Sequence, residues 1–146
     1  MSLLLGVRNT ADQEVAVGGI INLGNVYRKF CKKVNGVKCF DFTGDAISLN
    51  HAGIYHLTAT FVTNGGAAGV VTIQMLENGV PALGVYSEQT VSTATTERNF
   101  AIDTYILVDN ANLLGRETTL TKNISFEVLT TAATIALTVV NVEKVV

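Results

Sequence analysis

The sequence predicts an all-β protein: a single-domain antiparallel jelly-roll sandwich of about nine or ten strands. Three observations predict it. Apolar residues recur with a period of two in one run after another, and no stretch has a helical period. Val, Ile and Thr are abundant and Pro occurs only once, at Pro81, a composition that favours extended backbone. Gly, Asn and Asp punctuate the runs at roughly ten-residue spacing, as turns between short strands do. A chain of 146 residues is long enough for one domain with a substantial core.

Charge is sparse, at 15% of residues, and the net charge is −2. Nothing in that balance suggests a nucleic-acid partner. The 48% apolar content and positive mean hydropathy are high, and the excess reads as surface meant for a partner subunit or a larger particle. No stretch is apolar and long enough to span a membrane, so no membrane partner is expected. The start, Met1 to Val7, lacks the basic flank and apolar length of a signal peptide, so synthesis in the cytoplasm without export by a cleaved signal is expected.

Residues 1–12 are expected to form an N-terminal arm or anchor, and 13–146 the jelly roll. Leu3, Leu4 and Leu5 are costly to leave in water, so they pack against this protomer, a neighbour or a larger assembly. Gln13–Val26 reads as two short strands kinked at Gly18-Gly19. Tyr27–Cys39 holds five of the ten basic residues, Arg28, Lys29, Lys32, Lys33 and Lys38. Asn35-Gly36 marks a hairpin there. Lysines on such a hairpin block edge-to-edge pairing, or dock onto an acidic protein or glycan surface. Only Tyr27 and Phe30 are aromatic in this segment, too few for a nucleic-acid stacking platform.

Cys31 and Cys39 flank that turn. A two-residue loop puts them on opposite faces, whereas a bulged loop brings them opposite each other. Without an export signal, free thiols are expected. Phe40–Leu49 restarts after Gly44, with Phe40 and Phe42 on one face and Ile47 and Leu49 in the next strand.

The two clearest strands are Ile54–Thr63 and Gly69–Glu77, joined through Asn64–Ala68. Tyr55, Leu57, Ala59 and Phe61 share one face of the first, and Val71, Ile73 and Met75 one face of the second. Asn78-Gly79 is a turn, followed by a weaker strand over Ala82–Ser92 and a polar connection to Arg98. Ala101–Val108 alternates through Ile102, Thr104, Ile106 and Val108. Asp109–Thr121 has no period and reads as a loop. Asn123–Leu129 alternates through Ile124, Phe126 and Val128. In the last run, Ala133–Val142, the pattern places Ile135, Leu137 and Val139 on one face and Thr138, Val140 and Val142 on the other. With both faces largely apolar, it reads as a strand buried on two sides, one of them against another subunit.

No catalytic constellation emerges. His51 sits in a turn, His56 on the polar face of its strand, and neither has partners at a set spacing for catalysis or metal binding. The carboxylates Asp41, Asp45, Asp103 and Asp109 are isolated in pattern. Gly65–Gly69 lacks the Lys and following helix of a phosphate loop. Asn123-Ile124-Ser125 fits the glycosylation pattern but lies inside a predicted strand. Two cysteines without a wider ligand set make no zinc site. A non-enzymatic protein with no cofactor and no metal is expected.

Two resemblances follow from particular residues. Gly53-Ile54-Tyr55 through Phe61, then Val71 to Glu77 and Asn78-Gly79-Val80-Pro81, resembles the complement-type globular head, a trimeric jelly roll shared with tumour necrosis factor-like proteins. Asn9-Thr10, Val15 to Val26, Ala46-Ile47-Ser48-Leu49 and Gly53-Ile54-Tyr55 together are similar to small virion proteins of tailed bacteriophages with that fold. The chain has no Gly-x-y repeat and no acidic cluster of the kind that binds calcium in some relatives.

These resemblances imply a homotrimer whose closing strand lies near the threefold axis. Tyr55, Ile135, Leu137, Val139, Val140 and Val142 would line the subunit interface. They imply a structural component of the virion, a capsid decoration or head-fibre protein. Leu3, Leu4, Leu5, Arg28, Lys29, Lys32, Lys33 and Lys38 would dock it on other virion proteins such as the major capsid protein. The alternative is a receptor- or glycan-binding head of a fibre or baseplate, reading a host-surface glycan through loops Asn64–Gly69, Val91–Arg98 and Asp109–Thr121. Those loops contain no Tyr, Phe or Trp for stacking on a sugar.

Overall fold

A computed structural model describes residues 3–33, 36–91, 97–109 and 121–146. The Asn35 turn residue, most of the Val91–Arg98 connection and most of the Asp109–Thr121 loop lie outside the described residues. Eleven strands are present among those described: β1 (Leu3–Asn9), β2 (Gln13–Val15), β3 (Asn25–Cys31), β4 (Phe40–Phe42), β5 (Ile47–Leu49), β6 (Gly53–Gly66), β7 (Gly69–Glu77), β8 (Val80–Val91), β9 (Glu97–Val108), β10 (Lys122–Leu129) and β11 (Ala133–Lys144). They form two antiparallel sheets. One runs β3-β1-β11-β6-β9, with β2 also paired to β11; the other runs β4-β5-β10-β7-β8. The fold is a jelly-roll sandwich, as the alternating runs predict.

The alternation explains the core directly. Tyr55, Leu57, Ala59 and Phe61 of β6 are buried, as are Ile102, Ile106 and Val108 of β9. Val71, Ile73 and Met75 of β7 and Ile124, Phe126 and Val128 of β10 meet them from the other sheet. Phe61 and Phe126 join the sheets edge to face, with ring centroids 5.2 Å apart, a geometry favoured by the aromatic quadrupole. Tyr55 is fully buried but keeps its hydroxyl satisfied, donating to the His51 carbonyl at 2.6 Å. Burial pushes its pKa up to about 12, so the phenol stays neutral and remains a donor. Asn78 and Gly79 both adopt positive φ, 53° and 78°, and close the β7–β8 hairpin with the twist its strands require.

Four expectations are corrected. First, residues 3–9 are no arm: β1 is an inner strand between β3 and β11, and Leu3, Leu5 and Val7 sit in the core. β1 and β2 lie end to end along β11, because Asn9 pairs with Thr138 and Gln13 with Ile135. A domain boundary at residue 12 would cut this composite strand. Second, the strands on either side of Asn35-Gly36, β3 and β4, do not pair with each other, and Asn35 of the turn itself lies outside the described residues. β3 pairs with β1 over its whole length, while β4 pairs with β5 in the other sheet. The apolar alternation of β1 gives β3 a longer partner than the three residues of β4 could.

Third, Cys31 and Cys39 form a disulfide, with Cα atoms 6.0 Å apart. The bond ties the end of β3 in one sheet to the residue before β4 in the other. Fourth, β11 is irregular. Register shifts between Ala133 and Ile135 and between Ile135 and Leu137 offset it against β6. Ile135 therefore shares the core side with Thr138, Val140 and Val142, while Leu137 and Val139 point outward.

Candidate interaction surfaces

The same alternation that fills the core assigns the outer face of the six-stranded sheet. With Tyr55 and Leu57 inward, Ile54, His56, Thr58 and Thr60 of β6 must face outward. Strand registers then set three cross-sheet rows: Leu4–Glu143–His56–Tyr105, Gly6–Asn141–Thr58–Asp103 and Arg8–Val139–Thr60–Ala101. Leu137 lies beyond the third row, opposite Val62. The face is thus apolar toward Leu137 and Val139 and ionisable toward His56.

His56 is the centre of the ionisable part. Its Nε2–H donates to Asp103 Oδ1 at 2.6 Å, and Nδ1 stands 3.6 Å from Glu143 Oε1. The ring stacks on Tyr105, with centroids 5.0 Å apart. The hydrogen bond to Asp103 holds the imidazole pKa above its ordinary 6.5; burial opposes this, and the charges of Asp103 and Glu143 add to it. On the other side of the sheet face, Tyr27 lies over Gly6 and donates to Asn141 Oδ1 at 2.7 Å. A Cβ at residue 6 would stand 2.8 Å from both the Tyr27 ring and Asn141, so glycine makes the close approach possible. Arg8 and Arg28 flank the ring at 4.9 and 5.2 Å from its centroid. Between these two clusters lies a groove of about 280 Å³.

The residues expected at a subunit interface are divided by this geometry. Tyr55, Ile135, Val140 and Val142 are buried in the protomer's own core and cannot contact a neighbour. Leu137 and Val139 do face outward. His56, Asp103, Glu143, Tyr105 and Tyr27 were not singled out as interface residues. Alternation marks His56 as outward, but only the strand order shows which residues surround it.

The expected docking set is divided as well. Leu3 and Leu5 are core residues, whereas Leu4 lies on the outer sheet face. Arg28 joins the Tyr27 cluster there. Lys29, Lys33 and Lys38 surround a second groove, of about 710 Å³, between β3 and β4. Lys32 is exposed nearby. The groove also contains Phe30, Phe40 and Phe42, and the disulfide forms part of its wall. Lys38 approaches Asp41 at 3.8 Å, an exposed pair that contributes little to stability.

Among the described residues, no group of three His, Cys, Asp or Glu side chains could hold a metal ion. His51 is buried, with Nε2 2.9 Å from the Val37 carbonyl, and its role there is packing and hydrogen bonding. No helix among the described residues is long and apolar enough to cross a membrane.

No protein-family profile matches the chain. No curated protein matches it in sequence. Solved structures do match, over nearly the full length. The globular domain of zebrafish complement 1qA protein superposes with a TM-score of 0.65 at 7% identity, covering 98% of this chain and 97% of that one. Eiger TNF from S. frugiperda gives 0.68 at 5% identity, covering 99% and 92%. The PRD1 vertex protein P5 gives 0.63 at 11% identity, covering 99% and 98%. At these identities the likeness establishes the fold. The chain has the jelly roll of complement heads and tumour necrosis factor-like proteins, a fold it shares with a phage vertex protein.

Proposed function

We propose that this chain is a non-enzymatic structural protein of a bacteriophage virion, a capsid decoration or head-fibre component that assembles as a homotrimer. The observation that supports this reading most is the full-length likeness to the PRD1 vertex protein P5, a jelly roll named for its place on a particle. The surfaces agree with a role in assembly. The outer sheet face presents Leu137, Val139, Ile54, Leu107 and Tyr105, and the edge strand β8 exposes Val80, Leu83 and Tyr86. Apolar exposure of this extent favours protein partners.

A closed trimer needs two different patches that meet head to tail. The outer face of the six-stranded sheet and the β8 edge are two such patches on one protomer. In this reading the chain is made in the host cytoplasm and carried on the virion, with the basic β3–β4 edge turned toward a shell protein. Light scattering across a dilution series, together with co-sedimentation on purified capsids, tests the proposal. The expected result is a mass three times 15.5 kDa and sedimentation with the particle. Monomers that leave the capsids unbound overturn it.

A further inference from the structure

We propose that the open edge between β3 and β4 is a docking site for an extended, acidic segment of a partner protein, which adds as a strand beside β3. This deepens the docking part of the proposed function and rests on it for the partner's location. The site itself depends on the groove alone.

Three observations converge there. The first is backbone. β3 ends one sheet and β4 ends the other, so among the described residues no strand pairs with the outer side of either. The seven residues of β3 offer a row of donors and acceptors long enough for a peptide to pair with. The second is charge. Lys29, Lys33 and Lys38 surround the groove against the single carboxylate of Asp41. That carboxylate is already engaged, by Lys38 at 3.8 Å and by the Asn50 amide at 3.0 Å. The uncompensated charge is therefore positive, and the chemistry that complements it is Glu or Asp.

The third observation is apolar surface. Phe40 and Phe42 pack on the core from one side yet also line the groove, and Phe30 at its mouth is 53% exposed. Lysines that only guarded an edge would need no phenylalanines between them. A strand that alternates acidic with apolar side chains satisfies all three features, because successive side chains point to opposite faces. The disulfide fixes the groove's width by tying the end of β3 to the residue before β4. A nucleic acid matches the charge but would leave the strand edge unpaired, so the free backbone favours a polypeptide.

The test is fluorescence anisotropy on the intact protein with a labelled seven-residue peptide, matched to β3, that alternates glutamate with valine. Saturable binding is expected. Lys29→Glu, Lys33→Glu and Lys38→Glu together should weaken it at least about tenfold, with the thermal midpoint of the variant showing that it folds. The same peptide with every amide N-methylated should also lose at least about tenfold on the wild-type protein, a readout that needs no variant to fold. Equal binding of the methylated peptide reduces the site to charge attraction and overturns strand addition. A short single-stranded DNA that displaces the peptide at lower concentration overturns the choice of partner. Because no particle is present, absence of peptide binding overturns this site without touching the virion assignment, which stands or falls on capsid sedimentation.

Discussion

At the residue scale, two side chains make measurable and opposite contributions to stability. Thr138 is fully buried on the core side of β11, and its hydroxyl has no hydrogen-bond partner among the described residues. A buried hydroxyl without a partner forfeits its hydration. Thr138→Val is therefore expected to raise stability by about 1 kcal/mol, seen as a higher denaturant midpoint with an unchanged slope. An unchanged or lower midpoint means the hydroxyl is satisfied. His56 makes a second prediction. Its pKa is raised on folding by the hydrogen bond to Asp103, so the stability it contributes is fully present below the unfolded value of 6.5. That contribution is lost as pH rises through the higher folded value. The ring should titrate by NMR with a midpoint above 6.5 and return toward it in Asp103→Asn; a wild-type midpoint at or below 6.5 refutes the pairing.

At the scale of elements, the ties that hold β3 in place can be separated. Its N-terminal approach passes Gly24, whose φ is +79° and whose missing Cβ would run into the Arg8 carbonyl. Only glycine admits both that dihedral and that contact. Its C-terminal end is held by the disulfide, which closes a short loop across a sequence separation of 8. Loop-closure entropy for a ring of that size is worth about 2–3 kcal/mol. Cys31→Ser with Cys39→Ser is expected to cost that amount in a denaturant titration. The same variant should show faster amide exchange in β3 than in β6, since β6 is paired along its length on both sides. A loss confined to within a few tenths of a kcal/mol would mean the unfolded state gains little freedom from the open ring.

At the scale of the whole molecule, the outward turn of Leu137 and Val139 is the feature with the largest consequence. Had β11 kept strict alternation, Ile135 would share their outward face. The register shifts instead take Ile135 into the core and leave two aliphatic side chains on the outer face, at the end of the sheet away from the His56–Tyr105 row. Leu137→Glu with Val139→Glu should convert a trimer into monomers of 15.5 kDa, weakening assembly by more than about a hundredfold while the monomer still folds. A trimer that survives the double change moves the interface to another surface, with the β8 edge at Leu83 and Tyr86 as the next to test.

The sequence by itself determined the class of fold and the inward faces of β6, β7, β9 and β10. Side-chain alternation is a local property: Tyr55, Leu57 and Phe61 fall on one side of any extended chain, whatever pairs with it. The Asn78-Gly79 turn was legible for the same reason, since positive φ at two successive residues is a local demand. What only the tertiary structure decided depends on pairing between distant residues. Strand order placed residues 3–9 between β3 and β11 and made Leu3 and Leu5 core instead of anchor. Partner choice sent β3 and β4 to different sheets and brought Cys31 to Cys39. Register shifts in β11 took Ile135 into the interior and left Leu137 outside. The His56 cluster was out of reach for the same reason, because its members come from three strands between residues 56 and 143. Period two states that a strand has two faces; the register against its neighbours decides which face meets the core and which residues meet across the other.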